Sequence, residues 1–110
     1  MEEERRKDVR VNISFPVECK DLPSRRYFYT VSKDLSPEGI RIIHHDFLAE
    51  GKLLRLNLNL ISKVIGLKAK VVWCNKERFS ERYYAGLKFV EIEKEKKEEI
   101  SQLLNKIYNS

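Results

Sequence analysis

Four stretches of this chain alternate apolar and polar residues with a period of two. Val11, Ile13, Phe15, Val17 and Cys19 alternate with Asn12, Ser14, Pro16, Glu18 and Lys20. Leu54, Leu56, Leu58 and Leu60 alternate with Arg55, Asn57 and Asn59, and Leu67, Ala69, Val71 and Trp73 with Lys68, Lys70 and Val72. Tyr83, Ala85, Leu87 and Phe89 form a fourth row. Successive strand side chains point to opposite faces, so each row predicts a strand with one buried face. Trp73, on such a row, is expected in the core, with a base-stacking place at a rim as the alternative. Shorter β-favouring segments lie at 27–32 and 40–44, and breaks fall at 21–24, 36–39, 50–51, around Ser62 and at 75–80. That is about six strands, at the spacing of a meander, a closed barrel or a sandwich. Pro16 has no N–H for a ladder, which predicts an edge or a bulge in the first strand.

The period changes near the C-terminus. Ile100, Leu103, Leu104, Ile107 and Tyr108 follow an i, i+3, i+4, i+7, i+8 stripe among Lys and Glu. This predicts an amphipathic helix from about residue 94 to 108, its stripe covering an open end or flank of the strands. A dimerisation helix is the alternative, which would make the chain a homodimer.

The 110 residues, 42% of them hydrophobic, suffice for one globular domain with a real core. No apolar run approaches the ~18 residues of a membrane span, and Met1-Glu2-Glu3-Glu4 is unlike a signal peptide, so a cytoplasmic protein is expected. Cys19 and Cys74 lack C-x-x-C spacing and read as small apolar residues on inward strand positions. His44 and His45 are adjacent, so on a strand they point apart and cannot chelate one metal ion. No nucleophile elbow, zinc-protease or P-loop pattern is present, and a non-enzyme without metal or resident cofactor is expected. The charge is uneven: residues 1–10 hold four basic and four acidic groups, 11–90 hold 14 and 8, and 91–110 hold 4 and 5. The excess of +6 in the β region favours an anionic partner.

Two short pieces could bind one. Arg6 and Arg10 stand four apart in a charged segment, and residues four apart lie on one side of a chain whether it is extended or helical. A guanidinium fork matches phosphate oxygens and the O6/N7 edge of guanine, and its plane can stack on a base. Residues 1–10, almost wholly charged, are expected to form a flexible arm that orders over a ligand. Asp34-Leu35-Ser36-Pro37-Glu38-Gly39 follows after 23 intervening residues. An ionised Asp34 accepts from the N1 and N2 donors of guanine, and Ser36 adds a donor and acceptor on the same side. Gly39 permits a positive φ or a close backbone approach, and Pro37 sets a turn.

In this order and at this distance, Arg6-x-x-x-Arg10 and Asp34-x-Ser36-x-x-Gly39 resemble the paired motif of the PilZ domain, a bacterial receptor for cyclic di-GMP. Arg10-Val11, Gly39-Ile40-Arg41-Ile42, Val71-Val72-Trp73 and Gly86-Leu87-Lys88-Phe89-Val90 also look like the family, and the similarity spans essentially residues 5–108. The resemblance implies a mainly β fold, a six-stranded antiparallel barrel with a C-terminal amphipathic helix. Residues 1–10 would be the arm, 11–92 the barrel and 93–110 the helix of a single domain. It also implies a cyclic di-GMP site on the outer surface, formed by Arg6, Arg10, Asp34, Ser36 and Gly39. Arg5 resembles an extra arginine that helps hold a stacked ligand pair. The output would pass to a protein partner, in motility, biofilm or exopolysaccharide control. A basic barrel binding single-stranded nucleic acid is the rival from another class, suggested by the central charge and by Tyr27-Phe28-Tyr29, and is the less favoured partner. An adaptor that keeps the fold without ligand is a third reading.

Overall fold

The computed structural model describes residues 13–108. Six antiparallel strands close into a barrel: β1 (Pro16–Asp21), β2 (Tyr27–Ser36), β3 (Gly39–His44), β4 (Leu53–Asn59), β5 (Val64–Lys76) and β6 (Tyr83–Val90), followed by one helix, α1 (Lys94–Tyr108). The order around the barrel is β1-β2-β3-β6-β5-β4, with β4 pairing back onto β1. Closure leaves no edge strand. Pro16 is therefore on no edge; it opens β1 and pairs with Val31 on one side only, where its missing N–H breaks no second ladder.

The rows of alternating apolar residues fill the interior. Phe15, Val17, Cys19, Leu54, Leu56, Leu58, Leu60, Ala69 and Val71 are all buried, joined by Leu35, Ile40 and Ile42 from β2 and β3. Each leucine so buried contributes about 1.5–3 kcal/mol. Cys74 is only partly buried, against the rim of this core, and accepts a hydrogen bond from Leu48 N. Burial pushes the Cys19 thiol up to about 12, with Glu18 adding to the shift. One polar side chain inside is fully satisfied: Ser32 Oγ donates to Ile13 O (2.6 Å) and accepts from Phe15 N (2.8 Å), fastening the segment before β1 onto β2.

Helix α1 spans the expected residues, and Ile100 and Leu104 enter the barrel's own core cluster, with Leu103 and Ile107 packed against it. Tyr108 does not join them: it is exposed past the end of the packed stripe. Lys96 Nζ donates to Gly66 O (2.9 Å), Lys63 pairs with Glu99, and Lys97 pairs with Glu38 (2.7 Å). These contacts tie the helix to strand β5 and to two turns of the barrel. None of the helices among the described residues is long and apolar enough to cross a membrane.

In two places one strand runs a residue ahead of its partner. Between β2 and β3 the register passes from Ser32↔Ile42 to Asp34↔Arg41, leaving Lys33 as the extra residue. Between β5 and β6 it passes from Val71↔Leu87 to Trp73↔Gly86, leaving Val72 as the extra residue. A bulge of this kind reverses which face the following side chains occupy. Past Lys33, Leu35 points inward while Asp34 and Ser36 turn to the outer surface. Past Val72, Cys74 turns toward the core and Trp73 turns out.

Candidate ligand-binding site

Trp73 is thus not a core residue. Its row predicted burial, but the bulge at Val72 moves it to the outside, where it is 37% exposed. Its indole packs against Gly86, its cross-strand partner: a Cβ on Gly86 would stand 2.2 Å from Trp73 Nε1 and 2.4 Å from Cε2. The ring thus rests on bare backbone, which only a glycine leaves open.

Asp34, Ser36 and Gly39 were expected together in a tight turn, and they come together in another way. Asp34 and Ser36 end β2, Gly39 opens β3, and only Pro37 and Glu38 form the turn between them. Ser36 pairs with Gly39, and its Oγ accepts from Glu38 N (3.3 Å) and Gly39 N (3.2 Å), so part of its bonding capacity closes the turn. Gly39 has no positive φ. Its reason is space: a Cβ there would lie 2.3 Å from the carbonyl oxygen of Leu87, on the adjoining backbone of β6. The turn is fixed to that strand by Phe89 N donating to Glu38 O (3.0 Å).

Asp34 is outward yet only 6% exposed. Arg41, its cross-strand partner, brings Nε to 3.1 Å from Asp34 Oδ2, an ion-pair distance at an angle too bent for a good hydrogen bond. The Arg41 guanidinium also lies over the Tyr84 ring, 5.5 Å from its centroid. Tyr84 is held in turn: its hydroxyl donates to Glu77 Oε2 (2.7 Å), while Arg82 Nη2 donates to Glu77 Oε1 (2.9 Å). The bond from Tyr84, with help from Arg82, keeps the Glu77 carboxyl below its usual range, and the same bond raises the tyrosine.

One shallow concavity of about 370 Å³ opens on the barrel wall, bounded by Asp34, Glu38 and Gly39 on one side and Trp73, Gly86 and Lys88 on the other, with Arg41 between. It offers an acceptor, two cations and an aromatic plane, the set that a planar base carrying phosphate requires. Arg5, Arg6 and Arg10 lie outside the described residues. Sequence reading gave no ligand role to Arg41, Gly86 or Lys88. Arg41 sits two residues past Gly39, on the same outward parity, and that spacing was the one local signal available. Gly86 and Lys88 matter only through strands that meet them across the sheet. Among the described residues no three His, Cys, Asp or Glu side chains gather to hold a metal ion.

Comparison with known proteins agrees with this architecture. The sequence profile of the PilZ domain matches residues 4–106. None of the curated proteins matches the sequence. Among solved structures, the inhibitor of motility MotI/DgrA of Bacillus subtilis superposes with a TM-score of 0.79 at 24% identity, covering 96% of this chain and 52% of that one. The PilZ domain of YcgR from Escherichia coli, solved with c-di-GMP, gives 0.75 at 13% identity, covering 96% and 92%. MrkH of K. pneumonia gives 0.80 at 17%, covering 92% and 48%. The chain thus spans about half the length of MotI and MrkH and nearly all of the isolated YcgR domain. At these identities the likeness is one of fold.

Proposed function

We propose that this chain, which belongs to the PilZ domain family, is a receptor for cyclic di-GMP that acts without catalysis and passes occupancy to a protein partner. One observation carries the reading: two independent bulges turn Asp34 and Trp73 out of the core and onto the same concavity, with Ser36 beneath it closing the turn. Guanine stacks on the Trp73 indole, its N1 and N2 donors directed to the Asp34 carboxylate. Arg41 and Lys88 supply positive charge to the phosphates. Arg6 and Arg10 clamp the ligand from the N-terminal side, with Arg5 positioned for a second stacked copy, as the family motif implies. The signal has a physical route out of the site, because Glu38 lines the concavity while its carboxylate holds Lys97 of α1. A ligand phosphate beside Glu38 repels that carboxylate and loads the helix contact.

Calorimetric titration with cyclic di-GMP tests the reading. Saturable heat is expected, abolished in Arg10→Ala and in Asp34→Ala while both variants stay folded. No heat at high micromolar ligand would refute it.

A further inference from the structure

The register shows where part of the basic excess of the β region sits. Lys20 of β1 stands directly opposite Arg55 of β4, and Arg55 directly opposite Lys68 of β5. Two residues further along β5, Lys70 stands opposite Lys88 of β6. Each is outward, because the residues beside it in the chain, Cys19, Leu54, Leu56, Leu67, Ala69, Leu87 and Phe89, are buried. Like charges directly across a sheet repel. Neutralising acids are scarce: among the described residues, only Lys68 of the five has a carboxylate within ion-pair distance, Glu91 at 3.7 Å, and that carboxylate is itself exposed. Glu18, in the next row, is occupied by Asn57 Nδ2 (2.7 Å), and Glu93 pairs with Lys96. The arrangement has a repulsive cost that an anion lying across it removes.

The shape of the strip selects the kind of anion. β1, β4, β5 and β6 are consecutive around the closed barrel, three of its six inter-strand steps, so the strip follows half the circumference. Its two ends face opposite sides. A flat bilayer or a stiff duplex meets one side of such a curve, whereas a flexible chain follows it. At the β1 end the strip runs into Tyr27, which stands opposite Lys20 and is 56% exposed with Lys20 Nζ 5.5 Å from its ring centroid; Tyr29, 73% exposed, lies two residues along β2, opposite Glu18. Open aromatic rings beside regularly spaced cations are the composition of a single-strand track, with bases stacked and phosphates neutralised.

We infer that this strip is a second binding surface, for single-stranded nucleic acid, with the phosphates on Lys20, Arg55, Lys68 and Lys70 and bases on Tyr27 and Tyr29. It does not rest on the cyclic di-GMP reading, since only Lys88 belongs to both surfaces.

Fluorescence anisotropy with a labelled oligothymidylate of about 15 nucleotides, long enough for one such track, tests it across a salt series. With four to five phosphates neutralised, log K should fall against log salt with a slope of about −3. Arg55→Gln with Lys68→Gln should reduce the slope by about 1.4 and weaken binding at least about tenfold at low salt, leaving the heat of cyclic di-GMP binding unchanged. Tyr27→Ala with Tyr29→Ala should weaken binding at an unchanged slope. Lys20→Gln with Lys70→Gln gives the same reading if the first pair fails to fold. The inference is overturned by no binding at low salt, or by binding that the charge variants leave intact. It is equally overturned if a duplex of the same length, a glutamate-rich peptide or anionic vesicles bind more tightly than the single strand.

Discussion

Two sides of this barrel are built by different rules. From β1 through β4 into the first half of β5, each register step advances one residue on each strand, leucines point in, and charged or amide side chains point out. From β2 through β3 and from β6 to the second half of β5, one strand gains a residue on its partner. The regular side supplies most of the core. The bulged side gives up continuous alternation and gains an outward carboxylate, an outward indole and two glycines under close contact. Here the bulges convert a packing surface into a polar concavity without adding a loop or a domain.

The largest expected effect falls on the regular side. Leu56→Ala leaves a cavity under a fully buried position and should lower unfolding free energy by about 2–5 kcal/mol. Denaturant melts check the stability, and the dinucleotide should still bind the folded fraction. Next comes Gly39→Ala, whose new methyl meets the Leu87 carbonyl, a backbone atom with little room to move. A loss of about 1–3 kcal/mol in the same melts is expected, together with weaker ligand binding. A neutral Gly39→Ala would break the proposed difference between the sides.

Trp73→Ala sharpens the contrast from the other direction. A half-exposed ring on the outer wall should take about 1–3 kcal/mol of ligand affinity with it, read by calorimetry, and leave the melting temperature nearly unchanged. Severe unfolding instead would return Trp73 to a core role. The smallest effect concerns His44, stacked on Phe28 at 4.0 Å. Burial, aided by His45 and opposed by Asp46, lowers its pKa from the ordinary 6.5. The unfolded chain therefore takes up a proton before the folded one does, so stability present at neutral pH is lost as pH falls through that window. His44→Phe should melt with a shallower pH dependence between about pH 7 and 5.5.

The same contrast explains what could be read from the amino acids. Leu54, Leu56, Leu58 and Leu60 announce their strand because nothing interrupts their period, and α1 keeps its stripe from Ile100 to Ile107 for the same reason. Trp73 was placed in the core because Val72 looks like any other strand residue; the extra position exists only relative to Leu87 and Gly86 on β6. Lys33 hides the bulge in β2 in the same way: the segment expected at 27–32 runs on through it to Ser36, and the turn falls at Pro37 and Glu38, within the break expected at 36–39. Asp34, Ser36 and Gly39 were legible as a motif, but the constraint on Gly39 was not, since it comes from a carbonyl 48 residues along the chain. Arg41 acquires its place only from Asp34 and Tyr84 on neighbouring strands.

Trp73 is the chain's single tryptophan, so its emission reports directly on the concavity. Titrating the protein with cyclic di-GMP while recording that emission and, in parallel, the heat of binding puts the central claim to the test. The account predicts a saturable change in emission with the same midpoint as the heat, both lost in Asp34→Ala. Saturable heat with the Trp73 emission unmoved would place the ligand elsewhere and contradict it.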